Sequence, residues 1–202
     1  VAVDKGFTVT DPFSNQPEVD PLNRTQVLAA MGITALVLLL VTRLLLLFDT
    51  VYILNLKFTM VAVLVGIGLG LAITAASAII YLLWSVYRRS ADFYLELVLK
   101  PLIWFDLIWL GFLPGLSEEL LFRGVLLPAL GWNWFALIVS SLCFGVLHFS
   151  GQQYWAYVVW ATFIGLVLGC SALVTGNLLV PVVAHITTNL ISSFVWKLRT
   201  SA

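Results

Sequence analysis

The stretch Ser117-Glu118-Glu119-Leu120-Leu121-Phe122-Arg123-Gly124 sets two carboxylates and a guanidinium into otherwise apolar sequence. A charge at membrane depth costs from about 3 to more than about 10 kcal/mol, so such groups persist only when paired or when they face a wet cavity. Glu119 and Arg123 are four apart, on one helical face and able to form an ion pair, which leaves Glu118 turned in another direction. One carboxylate is then architectural and the other free to react. The bland alternative is a closed buried network that only fixes helix packing.

Two further polar pairs follow. Phe144 and His148 are four apart near the end of an apolar run, and His185 and Asn189 repeat that spacing after Pro181. Taken singly, each histidine reads as a satisfied core residue and the His–Asn pair as an interhelical hydrogen bond. Together they are the chain's only two histidines, and they join the glutamate pair on successive apolar helices, the arrangement from which helical bundles build sites. A desolvated carboxylate can take a proton from water, and an imidazole can share or relay it. An asparagine amide and a second imidazole can donate to the oxyanion that forms when a peptide carbonyl is attacked, worth about 3 kcal/mol per donor. Amide hydrolysis is the reaction class this set suggests. Glu118, His148 and His185 could equally hold a zinc ion with an open position for water, although their spacing has no HExxH-like signature.

The ordered trio of EExxxR at Glu118, Glu119 and Arg123, FxxxH at Phe144 and His148, and HxxxN at His185 and Asn189 resembles the CPBP (Abi) family of intramembrane proteases. That family includes the CAAX prenyl endoprotease and bacteriocin-processing or bacteriocin-immunity proteins. The resemblance covers roughly residues 95–197 and implies roles: Glu118 activates water with His148, His185 and Asn189 stabilise the oxyanion, and Glu119 with Arg123 holds the first motif in shape, with Phe144 in support. It leaves the cofactor open between none and one divalent metal such as zinc. It also implies a membrane-embedded or lipid-anchored peptide or protein as substrate. Because some relatives act as assembly or stabilising factors in photosynthetic membranes, a membrane-protein complex partner, bound without cleavage, is the alternative reading. An ion or proton pathway extended by Asp106 ranks last, since no inverted repeat or pair of broken helices is visible.

The elements that must position these residues are helices in a bilayer. The chain has 202 residues, 61% of them apolar and 10% charged, with no net charge and no basic cluster, which marks an integral multi-pass membrane protein and sets nucleic acid aside. The expected fold is all-α, a polytopic transmembrane bundle of about 6–8 helices in a single membrane domain. Residues 1–26 read as a polar, Pro-containing amino-terminal arm, 27–93 as scaffold helices and 94–197 as the motif-bearing core. A first crossing is expected over Leu28–Phe48, with Arg43 snorkelling, and a second over 58–87, where Gly66, Gly70, Ala72 and Ala76 allow close helix approach. Arg88 and Arg89 place the following loop and the amino terminus on the cytoplasmic side. Residues 94–113 read as an amphipathic interfacial start. Pro114-Gly115 then ends that helix, and Ser117 caps the next, placing both glutamates in its first turn. Residues 116–130 and 134–149 are short for a crossing, whereas 154–174 and 178–196 are long enough. Lys197 and Arg199 prefer the inside, so the parity calls for six or eight crossings or one partial helix. Cys143 and Cys170 read as small buried hydrophobes.

Overall fold

The computed structural model describes residues 22–48 and 51–201, and most of the expected polar arm, residues 1–21, lies outside them. Among the described residues there are seven helices and no strand. They are α1 (Arg24–Leu45), α2 (Met60–Leu83), α3 (Ser85–Leu99), α4 (Asp106–Glu119), α5 (Trp134–Leu147), α6 (Trp155–Thr175) and α7 (Leu179–Ser201). Four of them, α1, α2, α6 and α7, are long and apolar enough to cross a membrane. Their broad lipid-like faces remain exposed, as at Leu36, Leu40, Leu64 and Val174, which in water would be untenable and in hydrocarbon costs nothing.

Local chemistry sets most boundaries. Asn23 caps α1 through the Gln26 N–H, and the Gln26 side chain accepts from the Asn23 N–H, so the helix begins at Arg24 inside the span expected for the arm. Thr59 caps α2 and Asn133 caps α5 with a side-chain oxygen that accepts from the N–H three residues on. The long second run does not continue to residue 87. Trp84 adopts an extended conformation, and α3 leaves in a new direction with Arg88, Arg89, Asp92 and Glu96 along it. The Trp84 ring is held against Tyr87 and Trp155, a tertiary contact with no trace in the apolar periodicity. The amphipathic helix is thus Ser85–Leu99, earlier than expected. Gly176 closes α6 in the left-handed conformation at φ 58°, which suits a residue with no Cβ.

The expected break at Pro114-Gly115 does not occur. Pro114 lies inside α4, and Ser117 is no cap: its Oγ donates to the Leu113 carbonyl 2.7 Å away. The glycines here serve packing. A Cβ on Gly111 would stand 2.5 Å from the Leu190 side chain and one on Gly115 would stand 2.6 Å from that of Ile186, so α4 and α7 approach closely enough that a larger residue would displace these side chains. After Glu119 the helix widens into a π-helical turn, Leu120–Leu126, and regains α geometry at Leu127–Ala129. The unbroken run from Asp106 to Ala129 measures roughly 35 Å at α-helical rise, so residues 116–130 are the second half of one long element.

Around α4 the bundle closes by small-residue contacts. Gly66 and Gly70 of α2 lie against Val180, Val183, Ala184 and Thr187 of α7, as the small-residue spacing leads one to expect, but Ala72 is exposed and Ala76 only half-buried, because the contact turns away with the helix face. Gly145 and Gly165 bring α5 against α6. An extended connector, residues 51–59, joins the layers: the Leu54 N–H donates to the Gly124 carbonyl on the π turn, and Asn177 both accepts from and donates to the Lys57 backbone. Both cysteines are free; Cys143 is exposed on the outer face of α5, not buried, and Cys170 is half-buried.

Gly70→Ala forces a methyl to within 2.6 Å of the Ala184 carbonyl oxygen, whereas Gly68→Ala meets nothing within 4 Å. In detergent thermal denaturation, Gly70→Ala is expected to destabilise by about 1–3 kcal/mol while Gly68→Ala is neutral or slightly stabilising.

Candidate active site

The two glutamates sit where α4 passes into the π turn, not in the first turn of a helix, so a helix dipole does not supply their rationale. Side-chain partners do. Glu119 and Arg123 are both fully buried, and Arg123 Nη1 donates to Glu119 Oε1 at 2.7 Å across the π turn. Arg123 Nη2 donates to the Gly165 carbonyl of α6 at 2.9 Å, and its guanidinium lies 4.3 Å from the centroid of the Phe144 ring on α5. His185 Nδ1 of α7 donates to the same Glu119 Oε1 at 2.8 Å. Four helical elements therefore meet on one ion pair. The expected EExxxR pairing is present, and the arginine's further contacts are what the spacing left unread.

Glu118 is turned away from that cluster, as the helical geometry requires, and is 7% exposed. Its Oε2 is buried without a hydrogen-bond partner and lies 4.0 Å from Nε2 of His148, too far for a direct bond. His148 forms the carboxyl cap of α5, and its Nδ1 donates to the Phe144 carbonyl at 3.0 Å. The Phe144 ring packs at 4.9 Å from the His148 ring and 5.8 Å from that of His185, so this one aromatic sets the places of both imidazoles and the arginine. Asn189 follows His185 by one turn on the same face of α7 and is half-buried; no side-chain hydrogen bond ties it to another described residue.

The bonds assign the tautomers. A carbonyl and a carboxylate can only accept, so both histidines carry their proton on Nδ1 and, when neutral, present Nε2 as a lone pair. With the unpartnered oxygen of Glu118, the site holds groups ready to receive protons. Glu118, His148 and His185, the donors that a zinc ion would need, are not gathered into one ligand set: among the described residues no three His, Cys, Asp or Glu side chains are placed to share a metal ion.

A cavity of about 210 Å³ reaches Glu118 between α1, α3 and α4. Its wall is apolar, with Val27, Met31 and Ala35 of α1, Leu97 and Val98 of α3, and Leu110 and Pro114 of α4. Tyr94 of α3 shares this lining with Glu118. Tyr94 stacks on Tyr157 at 4.5 Å, and the two rings stand 6.3 and 6.0 Å from that of His148. Burial, with the neighbouring Glu118 charge, pushes the Tyr94 phenol up to about 12. No spacing rule singles out Tyr94, which precedes the first motif on an amphipathic helix. Nor does sequence reveal the clasp between α1 and the start of α4, where Arg24 binds the buried Asp106 carboxylate through two bonds of 2.7 and 2.8 Å.

Comparison with known proteins finds the same stretch. Residues 100–191 match a family model described as Type II CAAX prenyl endopeptidase Rce1-like. The matched residues contain all three motifs, and this similarity is consistent with a CPBP family intramembrane protease. An uncharacterized protein of Bacillus subtilis (strain 168), YpbD, is 40% identical over 79 residues; the match covers 39% of this chain and 39% of that protein's length. No solved structure matches the chain.

Replacing Arg123 by Met strands the fully buried Glu119 charge, an expected loss of about 3–5 kcal/mol in thermal or denaturant unfolding. The double variant Glu119→Leu with Arg123→Met is expected to lose less than the sum of the two single changes, since no unpaired charge then remains.

Proposed function

We propose, from the premise that residues 100–191 match the Rce1-like family model within a membrane-spanning helical bundle, that this chain is an intramembrane endopeptidase of the CPBP type. The observation that carries the reading is Glu118, a residue that lines a cavity and whose Oε2 is buried and unpartnered 4.0 Å from a histidine nitrogen that is free to accept. A buried carboxylate left without a partner is costly unless it is used.

The gap between Glu118 Oε2 and His148 Nε2 is too long for a bond and suits an oxygen bonded to both. A water held there loses a proton to Glu118, with His148 accepting from its other hydrogen, as its oxygen bonds to the carbonyl carbon of the scissile peptide. The carbonyl electrons move to oxygen, where the Asn189 amide donates; His185 adds its Nε2 when protonated, with Glu119 against the opposite nitrogen. Collapse of the intermediate breaks the C–N bond, and the proton on Glu118 passes to the departing amine, leaving one carboxylic acid and one amine. Glu119 and Arg123 hold the motif rigid, and Phe144 spaces the imidazoles. The substrate is a membrane-embedded or lipid-anchored peptide, because the cavity wall beside Glu118 is apolar. The amino terminus is placed on the cytoplasmic side, following Arg88 and Arg89.

In proteoliposomes supplied with a defined mixture of prenylated and unmodified membrane peptides, mass spectrometry of new termini is expected to show products that vanish in Glu118→Gln, with kcat lowered by about 10²–10⁴. Asn189→Ala is expected to lower kcat by about 10²–10³ with KM little changed. Products unaffected by Glu118→Gln, or none at all, would refute the proposal.

A further inference from the structure

The bonds that orient the two histidines leave the site short of donors. His185 has committed its Nδ1 proton to Glu119 and His148 has committed its own to Phe144, so neither neutral imidazole can donate to a developing oxyanion. The guanidinium is out of reach as well: its Nη1 and Nη2 are committed to Glu119 and the Gly165 carbonyl, its unpartnered Nε is fully buried, and Arg123 lines no part of the cavity. While both imidazoles are neutral, Asn189 is the one accessible free donor on the motifs, whereas sites that stabilise tetrahedral intermediates commonly use at least two.

Tyr94 meets the need. It lines the same cavity as Glu118, its ring is fixed by the stack on Tyr157 and faces His148, and no described residue takes a hydrogen bond from its hydroxyl. The neighbouring Tyr157 does not line that cavity. We infer that the Tyr94 hydroxyl is a catalytic donor, bonding to the carbonyl oxygen of the scissile peptide as it becomes an oxyanion and keeping its own proton throughout. The inference rests on the proteolytic reading above and assigns a residue outside all three motifs and outside the matched segment 100–191. It also gives α3 a task, since the helix that brings Tyr94 to the cavity is the same one that brings Leu97 and Val98 to its wall.

The test compares wild type, Tyr94→Phe, Tyr157→Phe and Glu118→Gln in the proteoliposome assay on the same peptide mixture. Phenylalanine keeps both rings and their stack and removes only a hydroxyl. Tyr94→Phe is expected to lower kcat by about 100-fold with KM and melting temperature unchanged, while Tyr157→Phe stays within about twofold of wild type. Glu118-dependent products formed by Tyr94→Phe at the wild-type rate would overturn the inference and leave the proteolytic reading standing. An equal loss in Tyr157→Phe, or a fall in melting temperature matching the loss of rate, would show that the pair acts through packing and would also overturn it. Absence of any Glu118-dependent product would overturn both.

Discussion

A single buried carboxylate, Glu119, carries the structure. Its Oε1 takes one bond from Arg123 and another from His185, and Arg123 reaches on to α6 and lies over Phe144 of α5. Neither charge has access to water, so each is tolerable only while the other is in place. That mutual dependence is directional in a way apolar packing in a bilayer is not. Helices in hydrocarbon gain little from burying Leu against Leu, because lipid offers the same contact, and rely instead on close small-residue packing and on polar bonds. The close contacts at Gly66, Gly70, Gly111, Gly115 and Gly145 bring the helices near enough, and the ion cluster selects the rotation at which their polar faces meet.

The π turn follows from the same constraint. Leu120–Leu126 carries Arg123 toward Gly165 while Glu118 and Glu119 stay on the α-helical side, and widening the helix releases backbone groups that need partners. Some are found at once: the Phe122 carbonyl accepts from Ser140 and the Gly124 carbonyl from the Leu54 N–H of the extended connector. The connector thereby becomes part of the site's support, although it contains none of the site's side chains.

One division of labour emerges between the two ends of α4. At the carboxyl end Glu118 is unpartnered, 4.0 Å from His148; at the amino end Asp106 is saturated by Arg24 and by the Ile103 N–H. Both carboxylates are buried to a similar degree, and only the second is satisfied. Burial alone therefore does not mark a reactive group.

Much of this was legible in the residues alone. The all-helical membrane architecture, the division of Glu118 from Glu119, the Glu119–Arg123 pair and the four-residue spacing of Phe144 and His148 follow from helical periodicity and from the cost of charge in hydrocarbon, both local properties of the chain. Three things were decided only by the assembled bundle. Pro114-Gly115 is a breaker by local propensity, yet α4 runs through it because α7 needs the glycine faces at 111 and 115. The break falls at Trp84 instead, within an apolar run, because its ring docks on Tyr87 and Trp155. The donor roles of the histidines, and with them the place left for Tyr94, depend on which oxygen lies against each Nδ1, and that is a distance between separate helices or across a turn that no spacing along the chain contains.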